Sequence, residues 1–394
     1  MKMKDYPNVS IIIPVRNEEK YIEECLKQLL NQIYPEDKIE IIVIDGMSED
    51  GTREVVKRFE VHGSKFEVQG SENEKPVIRL IDNPNGQRAS ALNIGIREAK
   101  GDVIMRIDAR TIIPPDYIEK CVNTLIETGV DNVGGVQKPV TMLEVRGERF
   151  ETGKSQPQTL TLNPHALTQE AIGIALSHPF GVGDAQFRLG KKSGYVDTVY
   201  LGCFRKEIFD KVGLFDEESA VVSEDADMNQ RIRDAGGKVY LNKDIVAFYY
   251  PRDNFKDLWK LYFRYGGAKA GNLIKRGRLT AWRQFVPPAF LLSLVLFPIL
   301  GIFNKLFFYL WLLIVGSYIC VDLLVSIYLS FKHKISSFMP QTLDVEHRTS
   351  DRGSSKPSLL WRLLLVFPVI HFSWAMGFWR RLLQRPKLGE YWGY

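Results

Sequence analysis

Two apolar stretches near the end of the chain constrain its fold more than any other feature. From Phe285 to Phe303, and again from Leu306 to Phe331, apolar residues run with Asp322 as the only charged interruption. Each stretch is long enough, as a helix, to cross a hydrocarbon layer of ~30 Å. Only helices or closed barrels satisfy their own backbone in lipid, so these two segments are expected to be membrane-spanning helices. A third segment, Leu359 to Trp379, is also apolar and aromatic but carries Arg362, Pro368 and His371. It reads as spanning, re-entrant or interfacial. Before Phe285 the apolar runs are short and broken by charges, Gly and Pro. The expected organisation is a water-soluble domain over residues 1–280 and a membrane region over 281–394.

The first ten residues, "MKMKDYPNVS", contain no apolar core of a secretory signal. The soluble domain is therefore expected to face the cytoplasm, in a multi-pass protein of the plasma membrane. Lys and Arg collect beside the apolar segments, in "KAGNLIKRGR", "FKHK" and "RRLLQRPK". With a net charge of only +5, these clusters read as contacts to a lipid bilayer and as topology signals, and no nucleic-acid partner is expected. Three full spans would put the last cluster outside, against the positive-inside tendency, whereas an interfacial or re-entrant third segment with Pro368 at its bend removes the conflict. The four cysteines lie far apart with no C-x-x-C spacing, which argues against a zinc site and a disulfide framework.

The first 130 residues alternate between two periodicities. "VSIIIPV", "IEIIVID", "PVIRLID" and "DVIMRID" read as strands, and "NEEKYIEECLKQLLNQ", "SEDGTREVVKRF" and "RASALNIGIREAKG" as helices. This alternation predicts an α/β fold with a doubly wound, mostly parallel sheet, which binds ligands at the carboxyl ends of its strands. Polar residues collect at those ends: Arg16, Asn17 and Glu18, then Asp45, then Asp82 and Asn83, then Asp108. Singly, each is explained as a turn or cap residue; four converging ends point to a site. The chain has no G-x-x-x-x-G-K-[ST], and its first strand does not open into G-x-G-x-x-G, so neither a P-loop nor a dinucleotide fold is supported. Val61 to Lys75 reads as a polar surface insertion and Asp344 to Lys356 as a flexible connector.

The ordered set "VSIIIPVRNEEKYIEECLKQLLNQ", "IEIIVIDGMSEDGTREVV" and "ALNIGIREAKGDVIMRIDAR" resembles the family 2 glycosyltransferases of GT-A fold. "FGVGDAQFR", "VDTVYLGCFRKEIFDKVGLFDEE", "SEDADMNQRIRDAGGKVYL" and "FRYGGAKAG" look like the succinoglycan-type enzymes that assemble exopolysaccharide. The resemblance implies inverting transfer of a sugar from a nucleotide-sugar donor, with a UDP-sugar expected, to an acceptor hydroxyl. Pro14 to Glu18 would wrap the nucleoside, and Asp45 would accept from a base N–H or a ribose hydroxyl; the alternative for Asp45 is a turn residue before Gly46. Asn85 and Arg88 follow the third strand, where Arg88 either reaches a phosphate or is an exposed helix-start cation. Glu224 and Asp225 match the family's acidic pair, Asp225 as general base and Glu224 beside it. Their alternative role, with Asp227, is to favour a helix N-terminus capped by Ser223. Arg264 stands where related enzymes carry a Q-x-x-R-W arginine, but the Gln and Trp are missing. With few membrane segments, that points to addition of one or a few sugars.

The fourth strand end departs from the pattern. Asp108 keeps the first position of an acidic metal-binding pair, and Arg110 takes the second, where a guanidinium cannot ligate a metal. Either Arg110 supplies the leaving diphosphate with positive charge in place of a metal, or Mg²⁺ or Mn²⁺ sits on Asp108 and the phosphates while Arg110 turns to solvent or to a structural carboxylate. The membrane segments suggest a polyprenyl-linked saccharide as acceptor, with Trp282 at the interface. "HPFGVGDAQFRLGKKSG" suits a loop over the site, and His165 and His178 are too isolated to be ligands. Two other readings stand beside glycosyl transfer: a nucleotide-sugar-binding scaffold subunit without catalysis, and a nucleotidyltransferase. The donor sugar, the linkage and the oligomeric state are not readable.

Overall fold

The computed structural model describes residues 6–62, 76–140, 164–217, 224–277, 281–338 and 357–384. Ser223, most of the polar insertion, the connector and the end of the basic tail lie outside these residues, as does the side chain of His165.

The first half is built from β1 (Val9–Val15), α1 (Glu19–Leu30), β2 (Ile39–Asp45), α2 (Thr52–His62), β3 (Val77–Asp82), α3 (Arg88–Glu98) and β4 (Val103–Arg106). Then come β5 (Thr111–Ile112), α4 (Tyr117–Thr128), β6 (Asn132–Pro139), α5 (Pro164–Leu176), α6 (Pro179–Val182) and α7 (Gln186–Leu189). β7 (Gly194–Tyr195), β8 (Tyr200–Arg205), α8 (Ile208–Val212), α9 (Glu224–Asp234) and β9 (Val239–Tyr249) complete the α/β domain. Among the described residues the sheet has nine strands in the order β3-β2-β1-β4-β8-β6-β9-β5, with β7 also on β9. β3, β2, β1, β4, β6 and β9 share one direction, and β8 with the short β5 and β7 runs against them. The expected doubly wound, mostly parallel GT-A-like sheet is therefore present.

β1 shows why its residues form a central strand. Ile11 and Ile13 are buried in one core and Ile12 in another on the opposite face, because successive side chains alternate and both faces are covered. Helices α1 and α4 supply Leu26, Leu29, Cys121 and Val122 to the first core, and α3 and α9 supply Leu92, Ile96, Met228 and Ile232 to the second.

Four further helices follow: α10 (Phe255–Arg276), α11 (Val286–Gly301), α12 (Lys305–Phe338) and α13 (Pro357–Leu383). α12, α13 and the segment Trp282–Gly301 that contains α11 are long and apolar enough to cross a membrane. α11 and α12 form a hairpin turning near Asn304, and their apolar side chains are largely exposed: Val295, Ile299, Leu313 and Leu324 among them. α13 is different. Its Leu363, Val366, Phe367 and Ile370 are buried against Ala171, Ile172 and Ala175 of α5 and Leu258 and Tyr262 of α10. Pro368 lies inside this helix, which continues past it.

α13 and α10 lie side by side and run the same way. Phe255 meets Trp361, Tyr262 meets Trp374, and Arg380 covers the Phe263 ring. Backbones touch at two glycines. A Cβ on Gly266 would stand 1.9 Å from the Trp374 carbonyl oxygen, and one on Gly377 would stand 1.9 Å from that of Phe263. Only hydrogen fits at either position.

Candidate active site

The strand order reverses between β1 and β4, and the crevice at their carboxyl ends is where a sheet of this kind takes ligands. A cavity of about 2020 Å³ opens there and continues to α10, α11 and α13. Pro14, Arg16, Asn17, Glu18, Arg88, Asp108, Arg110, Glu224, Asp225 and Arg264 all line it, so most of the residues singled out in the sequence are brought to one space. Asp45 and Asn85 are not among the lining residues.

At the centre stands a residue that sequence reasoning missed. Arg106 ends β4, and its side chain is 4% exposed. Its Nε donates to Asp108 Oδ1 at 2.8 Å and its Nη2 to Asp108 Oδ2 at 3.2 Å. Its Nη1 donates to Asp225 Oδ1 at 2.6 Å and to Glu224 Oε1 at 3.1 Å. One buried cation thus gathers three carboxylates from two elements, which is the condition for keeping any of these charges out of water. Arg88, the first residue of α3, adds a bond from Nη1 to Glu224 Oε1 at 3.3 Å. A signal for Arg106 existed: in a strand, residues two apart share a face, so a cation two places before Asp108 points where Asp108 points.

The two acidic neighbours are driven apart. Burial raises the Asp225 carboxyl more than Arg106 lowers it, and with Glu224 beside it the group is pushed up to about 6. At Glu224 burial is outweighed by Arg88 and Arg106, and the carboxyl is held below its ordinary value. Burial likewise opposes ionisation of Asp108, but Arg106 and Arg88 prevail and its pKa is lowered. Glu224 is 3% exposed and spent on arginines, whereas Asp225 is 25% exposed on the cavity and engages Arg106 through Oδ1. Paired carboxylates with opposed shifts are how one site holds a permanent anion beside a proton acceptor.

Arg110 is paired. Its Nε donates to Glu18 Oε2 at 2.8 Å and Oε1 at 3.0 Å, and its guanidinium lies 4.9 Å from the centre of the Tyr21 ring. Those bonds use Nε alone, so the outer edge of the fork remains for a ligand. Burial raises the Glu18 carboxyl against the pull of Arg110. Asn17 takes a left-handed backbone conformation, φ 54°, one of the few non-glycine residues to do so, and accepts from the Glu49 N–H.

Asp45 is fully buried and occupied: Oδ1 accepts from the Ser48 hydroxyl at 2.5 Å, and Oδ2 from the Ser48 N–H at 3.0 Å and Arg53 Nη1 at 2.6 Å. Arg53 also pairs with Asp82 at 2.8 Å, so it ties the ends of β2 and β3 together. Asn85 turns to the Ser90 hydroxyl at 3.3 Å. Asp50 accepts from the Thr52 N–H at 3.0 Å, as expected of a residue opening α2, and His178 accepts from the Phe180 N–H at 3.2 Å at the start of α6. Lys269 of α10 also lines the cavity while almost fully buried; burial pulls its ammonium down to about 8 against the attraction of Asp197.

The donor set does not suit a divalent ion held by protein carboxylates. Both oxygens of Asp108 accept from the Arg106 fork, and among the described residues no group of three His, Cys, Asp or Glu side chains is placed to hold a metal ion.

Residues 103–378, more than half of the chain, match the family described as Glycosyl transferase family group 2, and the chain belongs to this family. Residues 10–186 also match the family described as Glycosyl transferase family 2. It is 26% identical over 377 residues, 95% of this chain and 94% of the other, to the succinoglycan biosynthesis protein ExoA of Rhizobium meliloti. It is 27% identical, over 75% of this chain and 82% of the other, to a Methanococcus voltae dolichyl N-acetyl-alpha-D-glucosaminyl phosphate 3-beta-D-2,3-diacetamido-2,3-dideoxy-beta-D-glucuronosyltransferase. Among solved structures, a Pyrobaculum calidifontis mannosyltransferase in complex with GDP-Man and Mn²⁺ is 21% identical with a TM-score of 0.47, covering 70% of this chain and 66% of that one. The protein is a glycosyltransferase.

Proposed function

We propose that the chain moves a sugar from a nucleoside-diphosphate donor, a UDP-sugar in the first instance, to a lipid-linked saccharide, with inversion at the anomeric carbon. The observation that carries this reading is Asp225, held by Arg106 on the wall of a cavity that runs from the strand ends to the apolar helices. In the reaction the acceptor hydroxyl gives its proton to Asp225, and its oxygen forms the new bond to the anomeric carbon. The bond from that carbon to the donor's phosphate oxygen breaks, and its electron pair leaves with the diphosphate. Arg110, with Arg88 and Arg264 lining the same cavity, would meet that developing charge. Thirteen Lys and Arg against six Asp and Glu line the cavity, an excess that suits two phosphorylated substrates.

The same reading places α11 and α12 across the bilayer and α13 along its cytoplasmic face. α12 has 34 residues, about 51 Å, which exceeds the hydrocarbon layer, and its far end returns to the α/β domain where His333 meets Glu170 at 2.9 Å. α13 lies along α10, which carries Lys256, Asp257, Lys260, Arg264, Lys269 and Lys275 and is too charged to enter hydrocarbon. Both ends of α13 then stay on the cytoplasmic side, in keeping with the positive-inside tendency.

The test is thermal stabilisation of the detergent-purified protein by UDP, GDP, ADP and dTDP, each with Mn²⁺, Mg²⁺ or EDTA, in wild type and Asp225→Asn. Stabilisation by one nucleotide that survives EDTA and is kept by Asp225→Asn, while sugar transfer is lost, is the expected result. Stabilisation only with metal would assign the diphosphate's charge partner to the ion, and undiminished transfer by Asp225→Asn would remove the proposed base.

A further inference from the structure

Arg188 lines the cavity among aromatic side chains. Its Nη1 donates to the Tyr249 hydroxyl at 2.9 Å, and its guanidinium lies 5.5 Å from the ring centres of both Phe187 and Tyr249. Tyr262 and Tyr265 complete its electrostatic neighbourhood. Among the described residues no carboxylate pairs with it, whereas Arg88, Arg106, Arg110 and Arg283, which line the same cavity, each pair with Asp or Glu. A guanidinium carries five donors, and a partly buried one with a single neutral acceptor has donors left for an anion.

Its position says which anion. On one side Tyr265 also neighbours Arg88, which holds Glu224. On the other, Tyr262 and Tyr265 pack on Trp374 of α13, with ring centres 6.4 and 6.5 Å apart. The cavity then reaches an aromatic end at Phe180, Phe290, Tyr318 and His371, where His371 is fixed by the Phe180 carbonyl at 2.8 Å and the Tyr318 hydroxyl at 2.9 Å. Arg188, the carboxylates and these rings thus line one cavity. An acceptor with its hydroxyl at Asp225 and its lipid among these rings would hold its phosphate within the cavity that Arg188 lines.

We propose that Arg188 recognises the phosphate that joins the acceptor's saccharide to its lipid, a specificity contact that rests on the lipid-linked acceptor proposed above. The test uses the full chain in detergent and measures equilibrium binding of three probes: farnesyl diphosphate, farnesol as its uncharged counterpart, and the best-binding nucleoside diphosphate of the panel above. Wild type is expected to prefer farnesyl diphosphate to farnesol. Arg188→Gln is expected to weaken farnesyl diphosphate about tenfold, the size of one or two charge-assisted hydrogen bonds, and to leave the nucleotide unchanged, which also reports that the variant is folded. Weakened nucleotide binding with farnesyl diphosphate intact would assign Arg188 to the donor and overturn the proposal. Unchanged binding of both would overturn it while the lipid acceptor stands. A wild type that does not distinguish farnesyl diphosphate from farnesol would remove the lipid acceptor itself and the proposal with it. Should Arg188→Gln fail to fold, Arg188→Lys is read the same way: loss of the fork weakens farnesyl diphosphate alone, and no change overturns the assignment.

Discussion

Replacing Arg106 by methionine keeps most of the side chain's length and deletes its charge. Three carboxylates, Asp108, Glu224 and Asp225, then lose the cation that bonds them at 2.6 to 3.2 Å in a site where the arginine is 4% exposed. Removing one partner of a buried ion pair costs about 3–5 kcal/mol, because the remaining charge stays in poor solvent. At about 2–4 °C per kcal/mol for a domain of this size, the apparent melting temperature should fall by about 10 °C. The loss should depend on pH. Without Arg106 the carboxylates titrate at higher pH in the folded than in the unfolded chain, so the folded variant holds extra protons near neutrality and its stability declines as pH rises. The deficit is therefore larger at pH 8 than at pH 5. Intrinsic fluorescence melts of both proteins in the same detergent, from pH 5 to 8, measure it. A shift under about 2 °C at pH 8, or a deficit that grows toward pH 5, would refute the claim that Arg106 gathers these charges.

Other consequences are equally direct. Because Asp225 must be ionised to take the acceptor proton and is pushed up to about 6, kcat/KM should fall tenfold per pH unit below about 6 and level off above it; a profile flat down to pH 5 would exclude it as base. Gly266→Val puts side-chain atoms where a Cβ alone would meet the Trp374 carbonyl at 1.9 Å, and should cost about 3 kcal/mol or more and most of the monodisperse protein on size exclusion, whereas Gly316→Val, with nothing within 4 Å, should cost little. In a cysteine-free background, Asn304→Cys at the α11–α12 turn should react with an impermeant thiol reagent from outside the cell, and Gln384→Cys only after permeabilisation; equal external labelling of both would restore a third span.

Much of this architecture was legible because it rests on local periodicity. The four strands of the first half and their intervening helices appear where alternating and helical spacing put them, and the residues at the strand ends converge because parallel strands align their carboxyl termini. What escaped were side-chain partners chosen by tertiary contact. Arg106 binds residues 118 and 119 positions away, and nothing local announces Glu224 and Asp225 as its partners. Asp45 was readable as a polar strand end, but its burial under Ser48 and Arg53 depends on how α2 packs. Arg110 turns to a carboxylate, Glu18, as one of its two alternatives had it, while lining the cavity. For α13, hydropathy sees only composition, whereas the reciprocal contacts of Gly266 and Gly377 bind it along a charged helix.

The most direct test of the account is incorporation of labelled sugar into organic-extractable lipid. Purified wild type and Asp225→Asn would each be given labelled UDP-sugars and lipid-linked saccharides extracted from the producing cells. The account predicts label in the lipid fraction and equimolar release of the nucleoside diphosphate for wild type, both dependent on the added lipid, and neither for Asp225→Asn despite retained nucleotide binding. Lipid-independent nucleotide release, or equal incorporation by the two proteins, would contradict it.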